Sequence, residues 1–326
     1  MKIAVFGAGS VGGYLAARLA KAGREVAVIA RGDHLAAIRA NGLTLETPDE
    51  RFTVEVEASD DPARIGPVDL VLVTAKTTAN QAVAAGIAPL LGPETPVVFA
   101  QNGVFWWYGQ GFRPPVPAST TRLDPAGRLA SAIAPKRRLG LVVHSPNEVR
   151  APGVVRNGST KNRFVLGAAD PARPLDDAAA ALDGAGFVLE RTADIRASMW
   201  RKLLVNVSTG PVTALTRATA AGVVEDRATA AVSRRLIEEA LAVAEAHGFL
   251  DLGIDPAALS EPGSRPHHKP SMLQDVERGR ALEIDTMARI VQDFAREAEV
   301  ATPTLDTVLA LLVRLARTLG IYAGEG

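Results

Sequence analysis

Hydrophobic and polar positions change period twice along this chain. At the start, Ile3-Ala4-Val5-Phe6 is a continuous apolar run, which suits a strand buried on both faces. Residues 13–20 follow with helical spacing. After Gly23 comes a second run, Glu25-Val26-Ala27-Val28-Ile29-Ala30, and later Leu70-Val71-Leu72-Val73-Thr74 and Val97-Val98-Phe99-Ala100. Residues 77–91 read as a helix between them. Strands alternating with helices predict a doubly wound sheet whose ligand crevice lies at the strands' carboxyl ends. The period then shortens. Residues 139–144, 153–156 and 163–166 read as short strands between Pro and Gly turns, expected to extend the sheet in antiparallel fashion. From about Ile195 the spacing is helical. Val232, Leu236, Ala240, Val243 and Ala244 form one stripe, and Leu305, Val308, Leu309, Leu312 and Leu315 form another behind Pro303.

The join between the first strand and the first helix carries chemistry. Gly7-Ala8-Gly9-Ser10-Val11-Gly12 is G-x-G-x-x-G between a strand and a helix, the context a dinucleotide fingerprint requires. Gly7 permits the tight turn, Gly9 lets a pyrophosphate approach the backbone, and Gly12 allows close helix–strand packing. Ser10, Val11 and Gly12 open the helix, whose unpaired N–H groups and partial positive charge suit phosphates. Lys2 followed by apolar residues also resembles the start of a signal peptide, but the three glycines interrupt the would-be apolar core. The expected fold class is therefore α/β: an N-terminal Rossmann-type doubly wound domain over residues 1–194 and an all-α C-terminal domain over 195–326.

The second strand selects the cofactor. An NAD site usually has Asp or Glu at its end, bonding the ribose 2′-hydroxyl. Here the strand ends in Ala30 and Arg31 follows. A guanidinium there can pair with a 2′-phosphate, so NADP(H) is expected.

Composition adds mostly exclusions. Lys+Arg and Asp+Glu balance at 36 each, giving no basic or acidic field for nucleic acid or a membrane surface. The Lys136-Arg137-Arg138 run reads as a solvated turn. No apolar stretch approaches a membrane span. The absence of cysteine excludes disulfides, thiol catalysis and thiolate metal sites, and no metal site is expected. With no export signal, the cytoplasm is the expected location. The 47% apolar content is ample for a core. Phe105-Trp106-Trp107-Tyr108 is an aromatic run expected in the core or as a pocket lid.

Further candidates sit at strand ends or on helix faces. Thr74-Ala75-Lys76 and Gln101-Asn102-Gly103 close two strands, where Lys76 and Asn102 would meet the cofactor or substrate. Lys202 and Asn206 are four apart, on one helix face. Ser271 and Gln274 have the spacing of a capping box, and Glu283 could pair with a surface arginine such as Arg280. Spacing alone leaves each of these open between function and structure.

Taken together, these blocks resemble the ketopantoate reductases (2-dehydropantoate 2-reductases). The resemblance rests on Gly7-x-Gly9-x-x-Gly12, Arg31, Thr74-Ala75-Lys76, Gln101-Asn102-Gly103, Trp200-Arg201-Lys202-Leu203-x-x-Asn206, and Ser271-Met272-Leu273-Gln274-Asp275 followed by Glu283-Ile284-Asp285. It covers nearly the whole chain, and the last three blocks are more specific than the glycine motif. It implies NADPH-dependent reduction of a 2-oxo acid, 2-dehydropantoate to (R)-pantoate in pantothenate biosynthesis, in a cleft between a Rossmann and a helical domain. It implies Lys202 as general acid and Glu283 as the second catalytic residue, holding the substrate hydroxyl. Asn102, Asn206 and Ser271 would bind substrate, with Lys76 and Asn102 near the nicotinamide. Two departures are visible. A second asparagine, common one turn after Asn206 in the family, is here Gly210, and the aromatic run replaces a more polar stretch. They point to a related reductase of another 2-oxo acid or imine as the alternative. A non-catalytic NADP(H)-binding regulator is a more remote one. A homodimer is compatible with the apolar helical domain.

Overall fold

The structure, a computed structural model, describes residues 1–324. It divides into two compact units: residues 1–101 with 124–195, and residues 102–123 with 196–326. Residues 102–123, expected within the first domain, therefore group with the second unit. The reason is apolar. Phe105, Trp106, Trp107 and Tyr108 are all at most 5% exposed, and Tyr108 packs on Trp200, His247 and Phe294. The aromatic run is core.

The first unit contains β1 (Lys2–Phe6), β2 (Glu25–Ile29), β3 (Leu43–Glu46), β4 (Arg51–Val54), β5 (Glu57–Ser59), β6 (Leu70–Val73), β7 (Val97–Phe99), β8 (Arg138–His144), β9 (Asn147–Ala151), β10 (Val154–Asn157), β11 (Arg163–Ala168) and β12 (Val188–Arg191). Its main sheet runs β12-β11-β8-β7-β6-β1-β2-β5. The strands from β5 to β8 pair in parallel, in keeping with the apolar runs of β1, β2, β6 and β7. β11 pairs antiparallel with β8, as expected of residues 139–144 and 163–166. Residues 153–156 do not join this sheet. β10 instead pairs in parallel with β3 in a separate four-stranded sheet, β4-β3-β10-β9. Its partner lies more than a hundred residues earlier, beyond the reach of local pattern.

Helix α1 (Ser10–Lys21) lies over the sheet with Tyr14, Leu15, Ala16 and Leu19 buried. Tyr14 stacks on Phe164 of β11 at 6.0 Å between ring centres. Helix α2 (Gly32–Asn41) follows β2. The single helix expected over residues 77–91 is broken into a 3₁₀ turn at Thr77–Ala79, an α-helix at Asn80–Gly86 and a second 3₁₀ turn at Ala88–Leu90. Gly86 and Pro89 account for the second of these breaks. The Lys136-Arg137-Arg138 run is only partly solvated. Arg138 is buried, donating to the Ile133 and Ala130 carbonyls.

The second unit is helical: Ile195–Thr216, Ala220–Glu225, Arg227–Ala246, Ser271–Glu277, Ile290–Glu297 and Pro303–Thr318. The two predicted stripes face inward, with Leu236, Ala240, Val243 and Ala244 buried in one helix and Leu305, Val308, Leu309 and Leu312 in the other. Residues Asp285–Arg289 form a π-turn running directly into Ile290–Glu297. Among the described residues, no helix is long and apolar enough to cross a membrane, and no group of His, Cys, Asp and Glu could hold a metal ion.

Candidate active site

In the first unit, the chain leaves β1 through Gly7, whose φ of +108° strongly favours glycine. The Gly7 and Ala8 N–H groups both donate to the Ile29 carbonyl at 3.1 Å, tying the turn to the end of β2. Gly12 has no room for a side chain. A Cβ there would sit 2.1 Å from the Gly7 carbonyl and 2.3 Å from the Thr74 hydroxyl, which itself donates to Gly7 O at 2.7 Å. A Cβ on Gly9, by contrast, would meet nothing within 4 Å. The turn is packed hard on its protein side and open on the other. Helix α1 starts there, with no acidic residue in its first turn and no side chain capping it. That leaves N–H groups and a partial positive charge for an anion.

Beside the turn lies a cavity of about 230 Å³. Gly7, Gly9, Ala30, Arg31, His34 and Ala75 are among its lining residues, and none of the lining residues is acidic. Arg31 is exposed at its rim, immediately before α2. The residues fit a dinucleotide: an open anion cradle at a helix N-terminus, an apolar slot, and a cation where an NAD site would carry a carboxylate. Lys76 is half-buried just past β6. Its neighbour Ala75 is fixed by buried Gln101, whose amide donates to the Ala75 carbonyl at 2.6 Å and to Asn80 Oδ1 at 3.2 Å.

In the second unit, the segment of Asn102 and the side chain of Asn206 meet the π-turn that follows Glu283. Gly103, next to Asn102, has φ +99°. A Cβ there would lie 2.4 Å from the Thr286 hydroxyl and 2.6 Å from its carbonyl. Val104 N–H donates to Thr286 O at 3.0 Å, and the Thr286 hydroxyl returns a bond to Val104 O at 3.2 Å. The Asn102 segment is thus clamped to the turn that begins two residues after Glu283. Lys202 and Asn206 share a face of helix Ile195–Thr216, both half-buried. Asn206 Nδ2 lies 3.9 Å from the Met287 sulfur of the same π-turn. One helical turn further, Gly210 abuts Met272, with the thioether 3.6 Å from where a Cβ would be.

The π-turn is itself braced. Asp285 accepts a hydrogen bond from Tyr322 at 2.8 Å and lies 3.6 Å from Arg122, which also forks onto Asp293. Burial, then the bond to Asp285, pushes the Tyr322 hydroxyl up to about 12.

Ser271 opens its helix but does not cap it. The residue before the helix is Pro270, no side chain caps the end, and Gln274 reaches back to the Lys269 carbonyl at 2.9 Å. The expected capping box is absent, because Ser271 is already the first helical residue rather than the N-cap. Arg280, considered as a partner for Glu283, pairs with Asp275 at 3.0 Å. Three residues escaped sequence reasoning. His34 lines the cavity. His268 sits close enough to Lys202 for that charge, after desolvation of the ring, to hold its imidazole below the ordinary value, although the residue keeps a solvent-facing side. Thr286 forms the clamp. Only their neighbours in space mark them out.

Comparison with known proteins decides the family. Residues 3–105 match the model of ketopantoate reductase PanE/ApbA, and residues 194–316 match the model of its C-terminal part. The chain belongs to the ketopantoate reductase family. The 2-dehydropantoate 2-reductase of Mesorhizobium japonicum is 41% identical over 99% of this chain and all of its own length. That of Caulobacter vibrioides is 32% identical, covering 95% of this chain and 97% of its own. A PanE/ApbA family ketopantoate reductase from Ralstonia eutropha superposes with a TM-score of 0.83 at 29% identity, over 98% of this chain and all of that one. As a member of the ketopantoate reductases, the protein is an NAD(P)-dependent oxidoreductase acting on CH–OH groups, and its cofactor is a nicotinamide dinucleotide.

Proposed function

We propose that this protein uses NADPH to reduce 2-dehydropantoate to (R)-pantoate, a step of pantothenate biosynthesis, in the cytoplasm. The observation that carries the cofactor choice is the cavity beside the glycine turn, with Arg31 at its rim and no carboxylate lining it. The substrate choice is supported by full-length similarity to enzymes named for that reaction. In this reading Gly7, Gly9, Ser10, Val11 and Gly12 receive the pyrophosphate, Arg31 pairs with the 2′-phosphate, and Lys76 and Asn102 serve the nicotinamide half.

When bound, a reduced nicotinamide would supply a hydride to the keto carbon. Negative charge then grows on the carbonyl oxygen, and the Lys202 ammonium stabilises it and gives it a proton. General acid catalysis of this kind is worth roughly 10²–10⁴-fold. The new C–H bond takes the hydride, the new O–H bond takes the lysine proton, and solvent reprotonates the amine. Glu283 holds the nascent hydroxyl. Asn102, Asn206 and Ser271 hydrogen-bond the substrate and set its orientation.

One observation favours a second reading. Met272 occupies the space beside Gly210, and Met287 lies against Asn206. Thioethers there suit a 2-oxo acid with a more apolar side chain. The test is NADPH oxidation with a panel of 2-oxo acids that includes 2-dehydropantoate, with NADH in parallel. We expect turnover of 2-dehydropantoate and at least about tenfold preference for NADPH, the scale of one charged hydrogen bond. Arg31→Ala should raise the KM for NADPH and leave NADH use unchanged. Equal use of both cofactors refutes the Arg31 assignment. Activity only on a bulkier acid selects the second reading, and tight NADPH binding with no turnover selects a regulator. A homodimer belongs to the proposal and is tested by the mass in solution.

A further inference from the structure

His34 stands in the first turn of α2, three residues after Arg31, and lines the same cavity. Both ring nitrogens are engaged. Nε2 lies 2.7 Å from the Ala8 carbonyl oxygen. Nδ1 lies 3.0 Å from the Gly153 N–H, in the turn between β9 and β10. A carbonyl can only accept and an amide N–H can only donate. The imidazole must therefore carry its proton on Nε2 and keep Nδ1 bare. Neither nitrogen is left for a ligand.

Ala8 is the residue between the two glycines that form the turn. Its N–H is held by Ile29 O, and the next N–H, on Gly9, by Gly7 O at 2.8 Å. The Ala8 carbonyl is the remaining polar group of that peptide, and His34 supplies its donor. One ring thus links the glycine turn to the main sheet's second helix and, through Gly153, to the small sheet. Gly153 is itself packed against α2, where a Cβ would lie 3.1 Å from the Ala37 methyl.

We propose that His34 is a positioning residue for the dinucleotide: it ties the Ala8 carbonyl oxygen to α2 and so keeps that oxygen from turning to the open side of the turn, where the uncapped N–H groups that open α1 meet the pyrophosphate. The inference rests on the reading that this cavity takes a nicotinamide dinucleotide. A carbonyl oxygen already held away from an anion does not have to be reoriented on binding.

Three variants test it. In His34→Gln the terminal amide can still donate to Ala8 O. In His34→Asn the shorter amide reaches only the Nδ1 position and can serve Gly153 alone. His34→Ala serves neither. NADPH affinity is read from the emission of the reduced nicotinamide on titration, KM and kcat from turnover of whichever 2-oxo acid is best, and folding from thermal unfolding of the cofactor-free protein. We expect Ala and Asn to weaken NADPH binding about tenfold, the upper range for one neutral hydrogen bond. We expect kcat at saturating NADPH to stay within about twofold, and Gln to restore affinity. Unchanged affinity in His34→Ala overturns the proposal, as does loss of affinity shared equally by Gln and Asn, since a merely structural role would not distinguish them. If the unmodified protein binds neither NADPH nor NADH, the dinucleotide reading falls and takes this one with it. If it binds NADPH but reduces no 2-oxo acid, only the substrate reading falls, and the affinity series still decides the role of His34.

Discussion

Acidification should loosen the helical unit through one histidine. His247 is fully buried, ringed by Phe294 at 4.6 Å, Tyr108 at 5.7 Å and Trp200 at 6.0 Å between ring centres. Trp200 N–H donates to the Tyr108 hydroxyl at 2.9 Å, and that hydroxyl lies 3.1 Å from His247 Nδ1. The other nitrogen, Nε2, is buried with no hydrogen-bond partner. Burial without a counter-charge lowers the imidazole from 6.5 to about 4. Because the folded value is depressed, the contribution is fully present above pH 6.5 and is lost as pH falls toward 4. Linkage puts the loss at about 2 kcal/mol between pH 8 and pH 5, and at about 3.4 kcal/mol well below pH 4. The assay is chemical unfolding followed by tryptophan emission. The chain's three tryptophans, Trp106, Trp107 and Trp200, all lie in this unit, so the signal reports it alone. His268 is shifted in the same direction, so the comparison must be with His247→Phe, which removes one titration and keeps the aromatic packing. The variant should lose about 2 kcal/mol less than the parent over that pH interval. Parallel pH profiles for the two proteins would refute the argument.

Two mutations probe the site directly. Lys202→Ala should cost at least about a hundredfold in turnover while NADPH affinity stays within about twofold, measured by single-turnover hydride transfer and cofactor titration; near-normal turnover would remove the general acid. Gly103→Ala should destabilise the helical unit by about 1–3 kcal/mol, since its Cβ meets the Thr286 carbonyl at 2.6 Å with φ at +99°; unfolding indistinguishable from the parent would mean the clamp yields freely.

What the sequence made legible was what is contiguous. The glycine turn, β1, β2 and β6 are each specified within a dozen residues, by apolar runs and by glycines that the packing around Gly12 explains. What it hid was specified across space. β10 looked like one more strand of the main sheet because an apolar run does not name its partner. Ser271 looked like a cap because a cap and a first helical residue differ by one position. Ala75 and Lys76 could be read at a strand end, but Gln101, which fixes that end, is 26 residues away from the carbonyl it holds. His34 and Thr286 have no local signature, since each matters through a bond to a distant backbone group.

The placement of residues 102–123 has a consequence for biogenesis. The helical unit is discontinuous in sequence, with one of its pieces made before the first unit is complete. Tyr108 leaves the ribosome 92 residues ahead of Trp200 and 139 ahead of His247. During that interval four consecutive aromatic side chains have no cover of their own, a state prone to nonspecific association. No cut at a single point would separate the units either: a fragment ending at residue 195 carries the aromatic run away from its core, and a fragment beginning at 196 lacks it. Expression of either half should therefore give aggregating material, and a nascent chain stalled before residue 200 should be held by chaperones longer than one stalled after 300.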